Sequence, residues 1–89
     1  MMKKNDLGRI RWRCIRRGML ELDIILGDFF DDHFQELTPH EQQCFIELLE
    51  NPDPSLYAWL LGQEVPQKAE AMEMVSKIRN RIRSVTPKD

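Results

Sequence analysis

An all-α fold, a compact five-helix bundle in a single domain, is predicted by three features of this 89-residue sequence. Apolar residues recur at spacings of three and four through most of the chain, the period of a helix with one buried face. The five prolines fall where helices would start or stop. No segment reads as part of a strand-rich domain, and neither a repeat period nor a low-complexity tract interrupts the chain. The length suits one domain, spanning 1–89 with frayed ends at 1–5 and 86–89. With 42% hydrophobic and 31% charged residues the composition is that of a folded globular chain.

The first helix is expected from about Asp6 to Arg16. Leu7, Ile10 and Cys14 lie at helical spacing, and Trp12 and Ile15 widen the stripe. The stretch from Arg9 to Cys14 also alternates like a strand, and the following segment decides for helix. From Met19 to about Leu37, the residues Leu22, Ile25, Leu26, Phe29, His33, Phe34 and Leu37 mark a second helix with a broad apolar face. Thr38-Pro39-His40-Glu41 starts the third: a threonine cap, a proline at the first helical position and a glutamate at the third make a capping box. Cys44, Phe45, Leu48 and Leu49 face inward, and this helix ends near Asn51-Pro52. Asp53-Pro54 restarts a short fourth helix in the same manner, the aspartate as cap before the proline, carrying Leu56, Tyr57, Trp59, Leu60 and Leu61, with Gly62 as its stop. Val65-Pro66 opens the fifth, in which Met72, Val75, Ile78, Ile82 and Val85 repeat every three or four residues.

The net charge of −2 hides a segregation. Residues 1–17 carry seven basic groups against Asp6 alone, or +6; residues 18–56 carry ten acids and no Lys or Arg, or −10; residues 57–89 carry six bases and four acids, or +2. Either the ends pair with the middle or the surface is bipolar and orients a partner. The longest apolar runs, such as Ala58-Trp59-Leu60-Leu61, fall far short of the ~18 residues that cross a bilayer, so membrane insertion is not expected. Met1-Met2-Lys3-Lys4-Asn5-Asp6 leads into arginine-rich sequence instead of an apolar signal core. Two cysteines, Cys14 and Cys44, without a Cys-x-x-Cys pair suit reduced thiols in a cytoplasm.

Little of this sequence speaks for an enzyme, and no catalytic residue is assigned. There is no Ser–His–Asp spacing or Gly-rich phosphate loop. Asp31-Asp32-His33 holds catalytic residue types, but adjacent helical side chains point in different directions, as expected of a solvated acidic helix end. His40 and Cys44 share a helix face and with Cys14 would make a partial metal set. Two ligands four apart without a second pair read better as a surface histidine and a packing cysteine, so no metal site is assigned. Arg9, Arg11, Arg13, Arg16 and Arg17 around Trp12, with Arg79, Arg81 and Arg83 later, offer phosphate contacts and a stacking ring. The pI of about 5.7 and the acidic middle weigh against nucleic acid as the partner.

The most informative stretch is Arg16-Arg17-Gly18-Met19-Leu20-Glu21-Leu22-Asp23. Gly18 at a helix junction lets the chain turn without a Cβ clash and leaves Arg17 and Glu21 near one another, an ion pair in an ordinary helix break. Arg17-Gly18-Met19-Leu20-Glu21 also resembles the R-G-x-x-E signature of the SdhE-type FAD assembly factors of succinate dehydrogenase. The run from Arg9 to Arg17, Leu22-Asp23, Phe29-Phe30, the Phe34…Leu37 spacing, Phe45…Leu48-Leu49 and Asp53-Pro54-Ser55-Leu56-Tyr57-Ala58-Trp59-Leu60 extend the similarity over roughly residues 9–62. The resemblance implies a small helical protein that binds the flavoprotein subunit of succinate dehydrogenase, and in bacteria the related fumarate reductase, and promotes covalent attachment of FAD to a histidine of that subunit. It places Arg17, Gly18 and Glu21 in the flavoprotein-binding surface, with Asp23 beside them, and extends by matching stretches to Arg9 and Trp59. FAD is then the client's cofactor, not one stably bound here, since the chain has no G-x-G-x-x-G turn for a dinucleotide pyrophosphate. The form resembled is the bacterial one working in the cytoplasm. Members of this family have also been labelled antitoxins, which is the alternative function; nucleic-acid binding through the basic N-terminal helix is the weaker one.

Overall fold

The computed structural model describes residues 4–81. Among them are five α-helices: α1 (Lys4–Ile15), α2 (Leu20–His33), α3 (Pro39–Leu48), α4 (Asp53–Leu60) and α5 (Ala69–Asn80), with one 3₁₀ turn, Phe34–Glu36, after α2. The all-α expectation holds. The stripe residues Ile82 and Val85, the basic residue Arg83 and the expected frayed tail lie outside the described residues, and the side chains described begin at Asp6.

One core unites the helices. Phe29, Phe30, Phe34 and Phe45 form its aromatic centre, with ring centroids 4.6 Å apart for Phe30–Phe34, 5.5 Å for Phe29–Phe45 and 5.6 Å for Phe34–Phe45. Offset and tilted rings at these distances bring positive edges towards negative faces and add to the gain from burial. Leu22 and Leu26 of α2, Leu49 at the end of α3, Leu56 of α4, Ile78 of α5 and Cys14 of α1 are buried around it. No polar or charged residue among those described is buried, so the core needs no internal hydrogen bonding.

α1 and α2 form the most extensive helix–helix contact. The reason is Gly27, whose missing side chain admits Ile15: a Cβ there would sit 2.9 Å from the Ile15 Cγ2. Gly27→Val is expected to force the two helices apart and cost about 2 kcal/mol by overpacking. Adding Ile15→Ala should recover most of that loss in a urea titration; no recovery would mean that the glycine is needed for another reason.

Four sequence expectations are corrected by the structure. α2 ends at His33 instead of continuing to Leu37, because the chain tightens into a 3₁₀ turn closed by Leu37 N–H donating to the Phe34 carbonyl at 3.1 Å. The Gln42 side chain donates to the same carbonyl at 3.0 Å, which anchors the turn to α3. α5 begins at Ala69, with Lys68 as its cap, not at Val65-Pro66; the intervening loop carries a buried Pro66. Trp12, counted in the α1 stripe, is 56% exposed, and Met72, counted in the α5 stripe, is also exposed. Finally α4 is capped by Pro52, not Asp53, whose carboxylate is occupied elsewhere.

The capping box of α3 is present as read. Glu41 N–H donates to Thr38 Oγ1 at 3.1 Å and Thr38 N–H donates to Glu41 Oε1 at 3.0 Å. The Thr38 backbone hydrogen bond, helped by Lys77, holds the Glu41 carboxyl below its usual range. A carboxylate with a depressed folded pKa contributes stability above its unfolded pKa and loses it as pH falls through the folded value. Thr38→Ala should cost about 1 kcal/mol at neutral pH. Glu41→Gln should lose stability relative to the native chain at neutral pH, with the gap closing on acidification; a gap independent of pH would contradict the charged half of the box.

Candidate functional site

The turn between α1 and α2 is built around Arg17. Its side chain is only 11% exposed and lies against the corner between α3 and α4. Nε donates to Asp53 Oδ1 at 2.7 Å, while Nη2 donates to the Leu49 carbonyl at 2.8 Å and the Asn51 carbonyl at 3.0 Å. Nη1 donates back to the Arg13 carbonyl at 3.1 Å. Carbonyls at the end of α3 carry the partial negative charge of a helix C-terminus, and the planar guanidinium fork serves several acceptors at once. Arg17 therefore clamps two helix–helix corners together.

The turn is fixed from its other side by Asp23, which accepts the Arg17 backbone N–H at 3.1 Å. Between these anchors Gly18 has φ +92°, a conformation costly for any residue with a Cβ. A Cβ at Gly18 would meet nothing within 4 Å. The backbone alone thus demands glycine, and the space above it is open.

Arg17 does not pair with Glu21. Glu21 stands exposed in the first turn of α2, where the Tyr57 hydroxyl hydrogen-bonds to it and has its pKa raised by that carboxylate. Leu20, between Gly18 and Glu21, is 74% exposed, and Ile24 one turn further is also exposed. On α1 the Arg16 guanidinium lies 4.3 Å over the Trp12 ring, a cation–π contact at an exposed site. Arg9, three residues before Trp12, shares that exposed helix face. The result is a rigid turn that displays Gly18, Leu20 and Glu21, flanked by Arg16 on Trp12.

Of the six residues singled out by the resemblance, Arg17, Gly18, Glu21 and Asp23 are gathered at this turn, two as internal anchors and two exposed. Arg9 lies along α1. Trp59 is set apart: it falls on the opposite flank of the buried α4 stripe from Tyr57 and lines a cleft with Cys44 and Pro66. Asp53, Tyr57 and Leu20 were missed as parts of the site. Asp53 and Tyr57 stand in the matching stretch 53–60, but only folding shows that they receive Arg17 and Glu21.

Both thiols are held neutral, Cys14 pushed up to about 12 by burial and Cys44 raised by burial and nearby carboxylates. Cys14, fully buried in the core, is not grouped with His40 and Cys44.

Fold and site together define a small helical module whose distinctive surface is a rigid, exposed, mixed acidic and apolar turn, an arrangement suited to docking. The chain belongs to the family described as Flavinator of succinate dehydrogenase, whose pattern residues 8–82 match. It is 49% identical over 71 residues to the FAD assembly factor SdhE of Coxiella burnetii, covering 80% of this chain and 85% of that one. It is 48% identical over 79 residues to the FAD assembly factor SdhE of Legionella pneumophila strain Paris, covering 89% and 98%. The solution structure of a UPF0350 protein superposes with a TM-score of 0.73 at 44% identity, covering 88% of this chain and 82% of that one.

Proposed function

We propose that this chain is an assembly factor that docks on the flavoprotein subunit of succinate dehydrogenase, and on that of fumarate reductase, and promotes covalent attachment of FAD to the client. The observation that carries this reading is the exposed Gly18–Leu20–Glu21 surface, held in one conformation by Arg17 and Asp23. A preformed turn costs little ordering on binding, so more of the contact energy appears as affinity. Membership of the family and the names of its relatives support the client and the reaction.

The helper acts without catalysis of its own. Covalent flavinylation needs FAD seated against the target histidine and the charge developing on the flavin stabilised, and the client can supply both. Binding the client in its reactive arrangement raises the population of that arrangement and shortens the search for it. FAD stays with the client. Arg17 and Asp23 contribute by shaping the turn, Gly18, Leu20 and Glu21 by contact, and Arg9 along the α1 flank. Trp59 takes part only with a client that wraps round α4 into its cleft. A protein client is favoured over nucleic acid by the partners that three basic residues already have within the fold: Arg11 with Asp31 at 2.7 Å, Arg17 with Asp53 and Arg16 over Trp12. No helix among the described residues is long and apolar enough to cross a membrane; we place the protein in the cytoplasm with its client.

Gly18 tests this reading. Alanine and arginine there carry the same positive-φ strain, about 1 kcal/mol, and the Cβ that both add meets nothing within 4 Å. Both variants should melt at similar temperatures, but Gly18→Arg should abolish covalent flavin on a co-expressed flavoprotein subunit while Gly18→Ala retains most of it. Equal loss in both, in proportion to stability, would make Gly18 a hinge and not a contact.

A further inference from the structure

Away from the docking turn, His40, Cys44 and Glu70 bring three different metal-ligating groups together. His40 and Cys44 stand one turn apart on α3, and Glu70 comes from the first turn of α5, which packs on α3. His40 Nε2 is 3.6 Å from Cys44 Sγ and 3.4 Å from Glu70 Oε2, and all three ligand atoms lie within 4.8 Å of one another. Bond lengths of about 2.0–2.3 Å at tetrahedral angles put zinc ligands about 3.3–3.6 Å apart, so two edges of such a tetrahedron are already in place.

Hydrogen bonding alone satisfies this arrangement poorly. Nε2 carries either one proton, for which Cys44 and Glu70 compete, or one lone pair, which faces the Glu70 carboxylate unpaired. A cation between them takes a lone pair from each. The surroundings favour it: Glu70, Glu47, Glu73 and Glu41 all act on Cys44 electrostatically, and among the described residues only Glu41 of these is partnered by a lysine, Lys77 at 3.3 Å. The helix N-termini nearby oppose a cation with about half a charge each, against whole charges on the carboxylates.

We propose that His40, Cys44 and Glu70 form a three-ligand site for a divalent transition-metal ion of the zinc type, stapling the start of α5 to α3 and leaving a fourth position to water. A mixed nitrogen, sulfur and oxygen set suits Zn²⁺ or Co²⁺, not Ca²⁺ or Mg²⁺, which take oxygen ligands. His40 and Glu70 are exposed and Cys44 is half-buried, so an ion reaches the site directly from solvent. The site is independent of the docking turn and of the function proposed above.

The test is titration of the full chain, reduced and stripped with a chelator, with Co²⁺. The expected result is a thiolate-to-cobalt charge-transfer band saturating at one equivalent per chain, with tetrahedral visible bands, both erased by added Zn²⁺. Cys44→Ser should remove the charge-transfer band, and His40→Ala and Glu70→Gln should each weaken binding at least about ten-fold. Zn²⁺ should raise the melting temperature of the native chain and of Cys14→Ala but not of Cys44→Ser. Cys44→Ser, His40→Ala and Glu70→Gln alter surface or half-buried positions, and their unperturbed melts without metal control for folding; Cys14→Ala, at a core position, is compared only with its own metal-free melt. Absence of the band, its persistence in Cys44→Ser, native-like binding by Glu70→Gln, or half an equivalent bound by a metal-bridged dimer would overturn the proposal.

Discussion

Arg17→Ala is expected to destabilise the protein by about 3 kcal/mol, because it strands a partly buried carboxylate and two helix-end carbonyls together. For a domain of this size that corresponds to a fall in melting temperature of roughly 15 °C. The loss should fall on the packing of the α1–α2 turn against the α3–α4 corner, where Asp53, Leu49 and Asn51 receive the guanidinium. Arg17→Lys keeps the charge but loses the fork and should recover less than half the loss. Asp53→Asn combined with Arg17→Ala should cost clearly less than the two single changes added, since the two side chains share one interaction. Strict additivity, or an Arg17→Ala chain that melts like the native one, would show that the arginine is not a clamp. An Arg17 variant that fails in flavinylation therefore does not identify a contact residue, because the turn it supports is lost with it.

The second large effect is on function without stability. Glu21→Ala removes an exposed carboxylate whose partner within the fold is the Tyr57 hydroxyl. Leu20→Asp removes an apolar side chain that contributes about 2 kcal/mol when buried by a partner. Each is expected to lower the yield of covalent flavin on a co-expressed client at least about ten-fold, the scale of a hot-spot residue. Melting temperatures should stay within a few degrees of the native chain, since neither side chain contributes to the core. Tyr57→Phe separates orientation from contact: a milder loss than Glu21→Ala is expected if the phenol only positions the carboxylate. Normal flavinylation by a folded Glu21→Ala would remove that residue from the docking face.

Helices were legible in the sequence because their signals are local. The Thr38-Pro39-His40-Glu41 box and the apolar period of α2 are set by neighbours within one turn, and both stand where expected. Misplaced boundaries depended on distant partners. Asp53 looks like a helix cap next to Pro54, yet it serves Arg17, 36 residues earlier in the chain. The end of α2 depends on Gln42 from the next helix reaching the Phe34 carbonyl. Trp12 fits an apolar stripe by spacing, but Arg16 one turn away covers it at the surface. The turn proposed for docking was singled out through its motif, whereas the different placements of its residues were not legible. Sequence placed Arg17 beside Glu21, and only the fold turns one inward to Asp53 and the other outward beside Tyr57. The His40–Cys44 pair was visible at its i, i+4 spacing, but its third member comes from α5, beyond any local pattern.

The central claim is that the Gly18–Leu20–Glu21 turn, and not another face, meets the flavoprotein. Photo-crosslinking from single sites tests it most directly. A photoreactive residue at exposed position 20, in a chain incubated with the flavin-free flavoprotein subunit, should give a covalent adduct that an excess of native chain suppresses. The same residue at Val65, equally exposed but on the loop lining the Trp59 cleft, should give little or none. Adducts from position 65 without adducts from position 20 would contradict the account and move the interface to that cleft.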